Sequence, residues 1–123
     1  MYRNNSFIIS QIRKLASPMD MIFLGANNLI GYLIRFAQKN QTPDHRPSLW
    51  SHVCLYVDLN TIMESTIGFE PYRHGSRWDN GVQYYPLQER IKTSAYNCTL
   101  VHWNLTDSQR DKIYKEAQNL FVD

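Results

Sequence analysis

Cysteine is scarce in this protein of 123 residues: two, Cys54 and Cys98, are present. Two thiols cannot build a disulfide framework or a four-cysteine zinc site, and their spacing is not that of a C-x-x-C redox pair. The expectation is reduced thiols in a cytoplasmic compartment. Glycine is sparse as well. The five glycines form neither a G-x-G-x-x-G turn nor a P-loop, so nucleotide cradling has no support. The four histidines, at 45, 52, 74 and 102, lack H-x-x-x-H or H-E-x-x-H spacing, and no metal or other cofactor is expected. Long apolar runs are missing too. Nothing approaches the roughly 20 residues of a membrane span, and the polar start Tyr2-Arg3-Asn4-Asn5 does not read as a signal peptide. Finally, charge of one sign is lacking: 13 basic against 11 acidic side chains leave a net +2, no electrostatic footprint for nucleic acid.

What remains is a globular composition, 43% apolar and 20% charged. Area scaling gives a folded surface of roughly 6,900 Å² against roughly 21,000 Å² unfolded, enough burial for an ordinary core. One domain over residues 1–123 is expected. Phe7, Ile8, Gln11, Ile12 and Leu15 fall at helical spacing and predict a helix over 6–16, stopped by Ser17-Pro18. Asp20 to Leu24 predicts a buried strand that Gly25 ends. Asn27 or Asn28 is suited to cap a following helix, in which Leu29, Ile30, Leu33, Ile34 and Ala37 form the apolar side against Arg35, Gln38 and Lys39.

The two prolines of 41–48 predict a surface loop. Residues 50–57 are apolar at both parities and read as a strand buried on both faces; Asp58-Leu59-Asn60 turns the backbone, and 61–67 returns antiparallel. An irregular excursion over 68–81 leads to a strand at 82–85, a short helix at 87–91 and a strand at 98–105. Thr106 caps a last helix that places Ile113, Ala117, Leu120 and Phe121 on one face. No repeat or linker interrupts this order.

The strongest chemical pairing is His52 with Glu64. On neighbouring strands of a hairpin both lie far from the turn, and a carboxylate beside an imidazole fixes its tautomer and stabilises the imidazolium that a general base forms. The same pair also fits an ordinary buried histidine whose ring is satisfied. Cys54 lies two residues from His52 on one strand face, roughly 6.6 Å away between Cα atoms. Mid-strand, however, it has no helix dipole to lower its pKa, and it reads as a small core residue; Cys98 reads the same way. Trp50, Trp78, Tyr72, Tyr84 and Tyr85 either line a groove or cover the edge of the core.

These residues carry a resemblance. Asp20-Met21-Ile22-Phe23, Leu29 to Arg35, Trp50-Ser51-His52-Val53-Cys54-Leu55-Tyr56-Val57 and Ile62-Met63-Glu64-Ser65-Thr66 resemble the "G-D-I-I-F", "L-I-R", "S-H-V-G-I-Y-V" and "E-S" segments of the circularly permuted NlpC-like papain-fold hydrolases of the YiiX and YebB kind. The resemblance implies an α+β fold, a small antiparallel sheet or partial barrel flanked by helices. It implies a cysteine peptidase or amidase acting on an amide or acyl bond of a cell-wall peptide or lipid-linked substrate. His52 matches the general base, Glu64 the group orienting it, and Trp50, Tyr56 and Ser65 the positions expected to contact substrate, with the 68–81 loop shaping the cleft.

Three departures stand out. Met19 replaces the glycine of "G-D" and Cys54 the glycine of "S-H-V-G", and the nucleophilic cysteine of that family follows at the start of a helix beyond the position of Asp123. The expectation is therefore a domain incomplete at its C-terminal end relative to the family and inactive as it stands. Self-association through apolar surface left exposed is a further expectation, and the alternative function is a non-catalytic binding or interaction module on the same fold.

Overall fold

The computed structural model describes residues 5–26, 29–66 and 81–120. Helix α1 (Asn5–Leu15) comes first, followed by strand β1 (Met21–Ala26), helix α2 (Leu29–Ala37), strands β2 (His52–Tyr56), β3 (Thr61–Thr66) and β4 (Gly81–Pro86), helix α3 (Leu87–Ser94), strand β5 (Ala95–Val101) and helix α4 (Asp107–Gln118). Among the described residues the class is α+β: four α-helices and one antiparallel sheet of five strands in the order β4-β3-β2-β1-β5. Hairpin β2–β3 pairs Cys54 with Glu64 and Tyr56 with Ile62, while β1 pairs Ile22 with both Cys54 and Leu100.

Because side chains alternate across a strand, this register puts Ile22, Leu24, Cys54, Tyr56, Ile62, Glu64, Cys98 and Leu100 on one face of the sheet. Ile9 and Ile12 of α1 and Leu87 and Ile91 of α3 bury against that face, completing the core. The opposite side of β2 is more open: Val53 is exposed and Leu55 half-buried, so β2 is buried on one face rather than two.

Other expectations shift for identifiable reasons. Gly25 does not end β1. It sits inside the strand, where a Cβ would collide with the backbone oxygen of Leu49, so glycine is needed for close approach and not for a turn. Strand β5 starts three residues early and stops at Val101, because Trp103 N–H turns to the Asp20 carboxylate at 3.2 Å instead of extending the ladder. Thr106 does cap α4, in a reciprocal capping box with Gln109. Yet α4 buries no apolar stripe. Ile113 and Leu120 are exposed, and the buried side chain of α4 is Arg110. The predicted Asn27 or Asn28 cap, the 68–80 excursion, and Ile67 and Phe121 lie outside the described residues.

Helix α2 is turned over relative to its sequence pattern. Tyr32, Leu33 and Phe36, which share one side, are 52%, 54% and 46% exposed, while Gly31 is buried and Gln38, on the same side as Gly31, is half-buried. Arg35, expected on the solvent side, is tied down instead: its Nε donates to the Ser48 carbonyl at 2.6 Å and its own carbonyl accepts from Ser48 N–H at 2.9 Å.

Met19 combines burial with a strained backbone position. Its φ is +71°, a region where glycine is the default, and its side chain is nonetheless buried. Met19 N–H donates to the Tyr56 carbonyl at 2.7 Å, which holds the conformation. Alanine here loses the packing and keeps the strain, whereas glycine loses the packing and removes the strain. Met19→Gly is therefore expected to be more stable than Met19→Ala by about 1 kcal/mol, the reverse of the usual order. Urea melts of the two variants check this, and an Ala variant at least as stable as the Gly variant would refute it.

Candidate functional site

His52 opens β2, and Glu64 lies on β3 opposite Cys54, two residues from the position that faces His52. Their diagonal separation is within reach of two long side chains on the same face. The ring and the carboxylate meet: His52 Nε2 is 2.6 Å from Glu64 Oε2. On its other oxygen Glu64 accepts from Arg90 Nη2 at 2.5 Å. Arg90 is placed by α3, whose Leu87 and Ile91 are fully buried in the core, so the intervening turn carries the guanidinium over the sheet. Its cationic plane lies 4.4 Å from the Tyr85 ring centroid on β4.

This arrangement decides the ionisation of Glu64 and with it the tautomer of His52. Burial pushes the Glu64 carboxyl up, but hydrogen bonds from His52 and Arg90 and the charge of Arg90 more than offset it, holding the group below its ordinary value of 4.5. An ionised carboxylate can only accept, so His52 Nε2 carries a proton. Nδ1 is then the atom left to take up or release one. The His52 side chain is 23% exposed while Glu64 is fully covered, so the ring is the solvent-facing end of the series Arg90–Glu64–His52.

Neither thiol completes the site. Cys54 Sγ faces the Ile22 carbonyl at 3.7 Å, and burial, together with the negative charge of Glu64, pushes its pKa far above the ordinary thiol range. Cys98 occupies the same sheet face as His52, but Leu24 pairs with both and stands between them. Burial pushes the Cys98 thiol up to about 11. Both cysteines are protonated at neutral pH, as their sequence positions suggested.

The other expected contacts fall elsewhere. Tyr56 is buried in the core, about 13 Å along the strand from His52. Ser65 is exposed on the opposite face from Glu64. Trp50 is half-buried, its ring 6.2 Å from Phe23 in an edge-on contact, and Phe23 also belongs to the opposite face. None of the three is brought to the His52 ring.

A second cluster, which pattern reading did not find, has the same composition. Asp20, fully buried, accepts from Arg110 Nη1 at 2.7 Å and Ser17 N–H at 2.8 Å, and its Oδ2 is 2.6 Å from His102 Nδ1. Arg110 also donates to the carbonyls of Pro18 and Trp103. Burial pushes Asp20 up, but these donors outweigh it and hold it below its ordinary 3.8. The sole sequence signal was Asp20 standing before an apolar strand. Among the described residues no group of three His, Cys, Asp or Glu side chains converges as a metal site, and no helix is long and apolar enough to cross a membrane.

No family model, curated protein or solved structure matches this sequence.

Proposed function

We propose that this protein is a permuted NlpC-like papain-type domain whose His52–Glu64 pair serves as the general base for hydrolysis of an amide or related acyl bond. The observation that carries the reading is the 2.6 Å contact between His52 Nε2 and a buried, ionised Glu64, which leaves Nδ1 as the basic atom. Backbone geometry adds support: the position where the resembled pattern has glycine, residue 19, holds a positive φ. In this reading Nδ1 takes the proton of a thiol, the thiolate attacks the carbonyl carbon, and the imidazolium, stabilised by Glu64, returns its proton to the leaving nitrogen or oxygen. Water then hydrolyses the acyl-enzyme with the same ring as base. Arg90 anchors Glu64 and touches no reacting atom, so it is a positioning residue.

The mechanism needs a thiol within hydrogen-bond reach of Nδ1, and Cys54 and Cys98 do not provide it. That observation favours a second reading, a binding module on the same fold in which His52 Nδ1 contacts a ligand without turnover. One experiment separates them. The protein expressed from its own gene is assayed on peptide-amide and acyl-ester substrates beside His52→Ala. The hydrolase reading expects turnover that falls by at least about 10³-fold in the variant, the scale of a lost general base. Turnover that survives the substitution sinks it. Absence of turnover in both proteins, with substrate binding weakened by His52→Ala, establishes the module.

A further inference from the structure

We infer that the outward face of α2 is a docking surface for an anionic lipid bilayer. Helices of soluble domains turn their apolar stripe inward; α2 turns its stripe outward. Tyr32, Leu33 and Phe36 are each about half exposed, and the Tyr32 and Phe36 rings stack at 6.3 Å, making a rigid aromatic ridge. Leu49 adds exposed apolar surface close to α2. It follows Ser48, which is bonded twice to Arg35 on α2, and it is 57% exposed.

The charge around the ridge selects its occupant. No Asp or Glu stands anywhere between Asp20 and Asp44, while Arg35 and Lys39 lie in that interval, and Lys39 Nζ sits 4.8 Å above the Phe36 ring. An apolar ridge with the Lys39 ammonium over its aromatic end, and with Asp44 of the following loop beside Arg46 at 4.0 Å, matches a surface of acyl chains beneath negative headgroups, where aromatic rings settle at the boundary and basic groups reach phosphates. A second copy of the protein is a poorer fit. Four half-exposed side chains offer about 400 Å², half of the ~800 Å² per partner that a stable dimer buries.

The surface is independent of the hydrolytic reading. Its test is flotation of the intact protein with vesicles of phosphatidylcholine alone and of equal parts phosphatidylcholine and phosphatidylglycerol. Binding to the mixed vesicles at low salt is expected, weakening on added salt and on phosphatidylcholine alone. The double variant Leu33→Ser with Phe36→Ser should bind about tenfold more weakly, and Lys39→Glu about threefold. Because Leu33 and Phe36 are exposed and the half-buried Lys39 places its ammonium over the exposed Phe36 ring, thermal melts of the variants should match the parent, and Lys39→Glu reports on the surface even if the double variant melts early. The inference is overturned if the parent does not float with mixed vesicles, or if Lys39→Glu and the double variant float as the parent does. Concentration-dependent dimerisation abolished by the double variant, without vesicle binding, would assign the ridge to a second copy instead.

Discussion

Replacing Asp20 by asparagine is expected to lower stability by about 3–5 kcal/mol, the cost of stranding one member of a buried ion pair. Arg110 is the group left behind. It is 6% exposed, it is the buried side chain of α4, and the neighbouring apolar residues Ile113 and Leu120 supply little compensating burial. His102 adds less, since its ring is half exposed and screened by water. For a domain of this size the loss corresponds to a fall of about 10–20 °C in melting temperature. Hydrogen exchange should accelerate in α4 more than in β2 and β3, because the anchor of α4 has gone. A second substitution, Arg110→Met, should restore part of the loss, since most of the cost is the stranded guanidinium rather than the missing attraction. A single variant within about 1 kcal/mol of the parent would show that Asp20 does not hold α4.

Glu64→Gln is the second large effect, again about 3–5 kcal/mol, because Arg90 is covered at 4% exposure and loses its counter-charge. The amide keeps one acceptor oxygen in place of two, and with Arg90 holding it the NH2 group faces His52 Nε2 and no longer fixes a proton there, so any His52-dependent turnover should fall together with stability. Tyr85 keeps its contact with the Arg90 plane and limits the damage only slightly.

Acid titration joins the two clusters. Both carboxyls are held below their ordinary values, 4.5 for Glu64 and 3.8 for Asp20, so the folded state binds fewer protons there than the unfolded state. Their stabilisation is complete above those unfolded values and is lost as pH falls from about 4.5 downward through the folded ones. Urea melts from neutrality to about pH 3 should therefore show stability dropping below about 4.5, with a shallower drop in either variant. An equal slope in parent and variants would remove these carboxylates as its cause.

The sheet was legible because its signals are local. Hairpin β2–β3 follows from alternating β-branched residues around Asp58-Leu59-Asn60, and that hairpin alone suffices to propose His52 beside Glu64. Arg90 was not legible. It is one basic residue in a short helix, and only the burial of Leu87 and Ile91 shows which way it aims. The outward turn of α2 escaped for another reason: periodicity gives the width of an apolar stripe but not its direction, and here the backbone at Ser48 captures the polar Arg35 side. Likewise α4 was read as docking through Ile113 and Leu120, whereas polar side chains dock it: Arg110 on Asp20, and Tyr114 and Gln118 on the Tyr84 hydroxyl. The expected contacts Trp50 and Ser65 lie away from His52 for two reasons: Ser65 has the opposite parity to Glu64, and Trp50, which precedes β2, turns its ring to Phe23 on the other side of the sheet.

The pairing of Asp20 with Arg110 spans 90 positions in the sequence. During synthesis β1 emerges early and finds β2 within a few tens of residues, yet its neighbouring carboxylate stays without its cation until α4 has left the ribosome. Strand β5, the other partner of β1, also arrives late. Until β5 and α4 have emerged, the nascent protein thus carries a half-made sheet edge and an acid without its guanidinium partner.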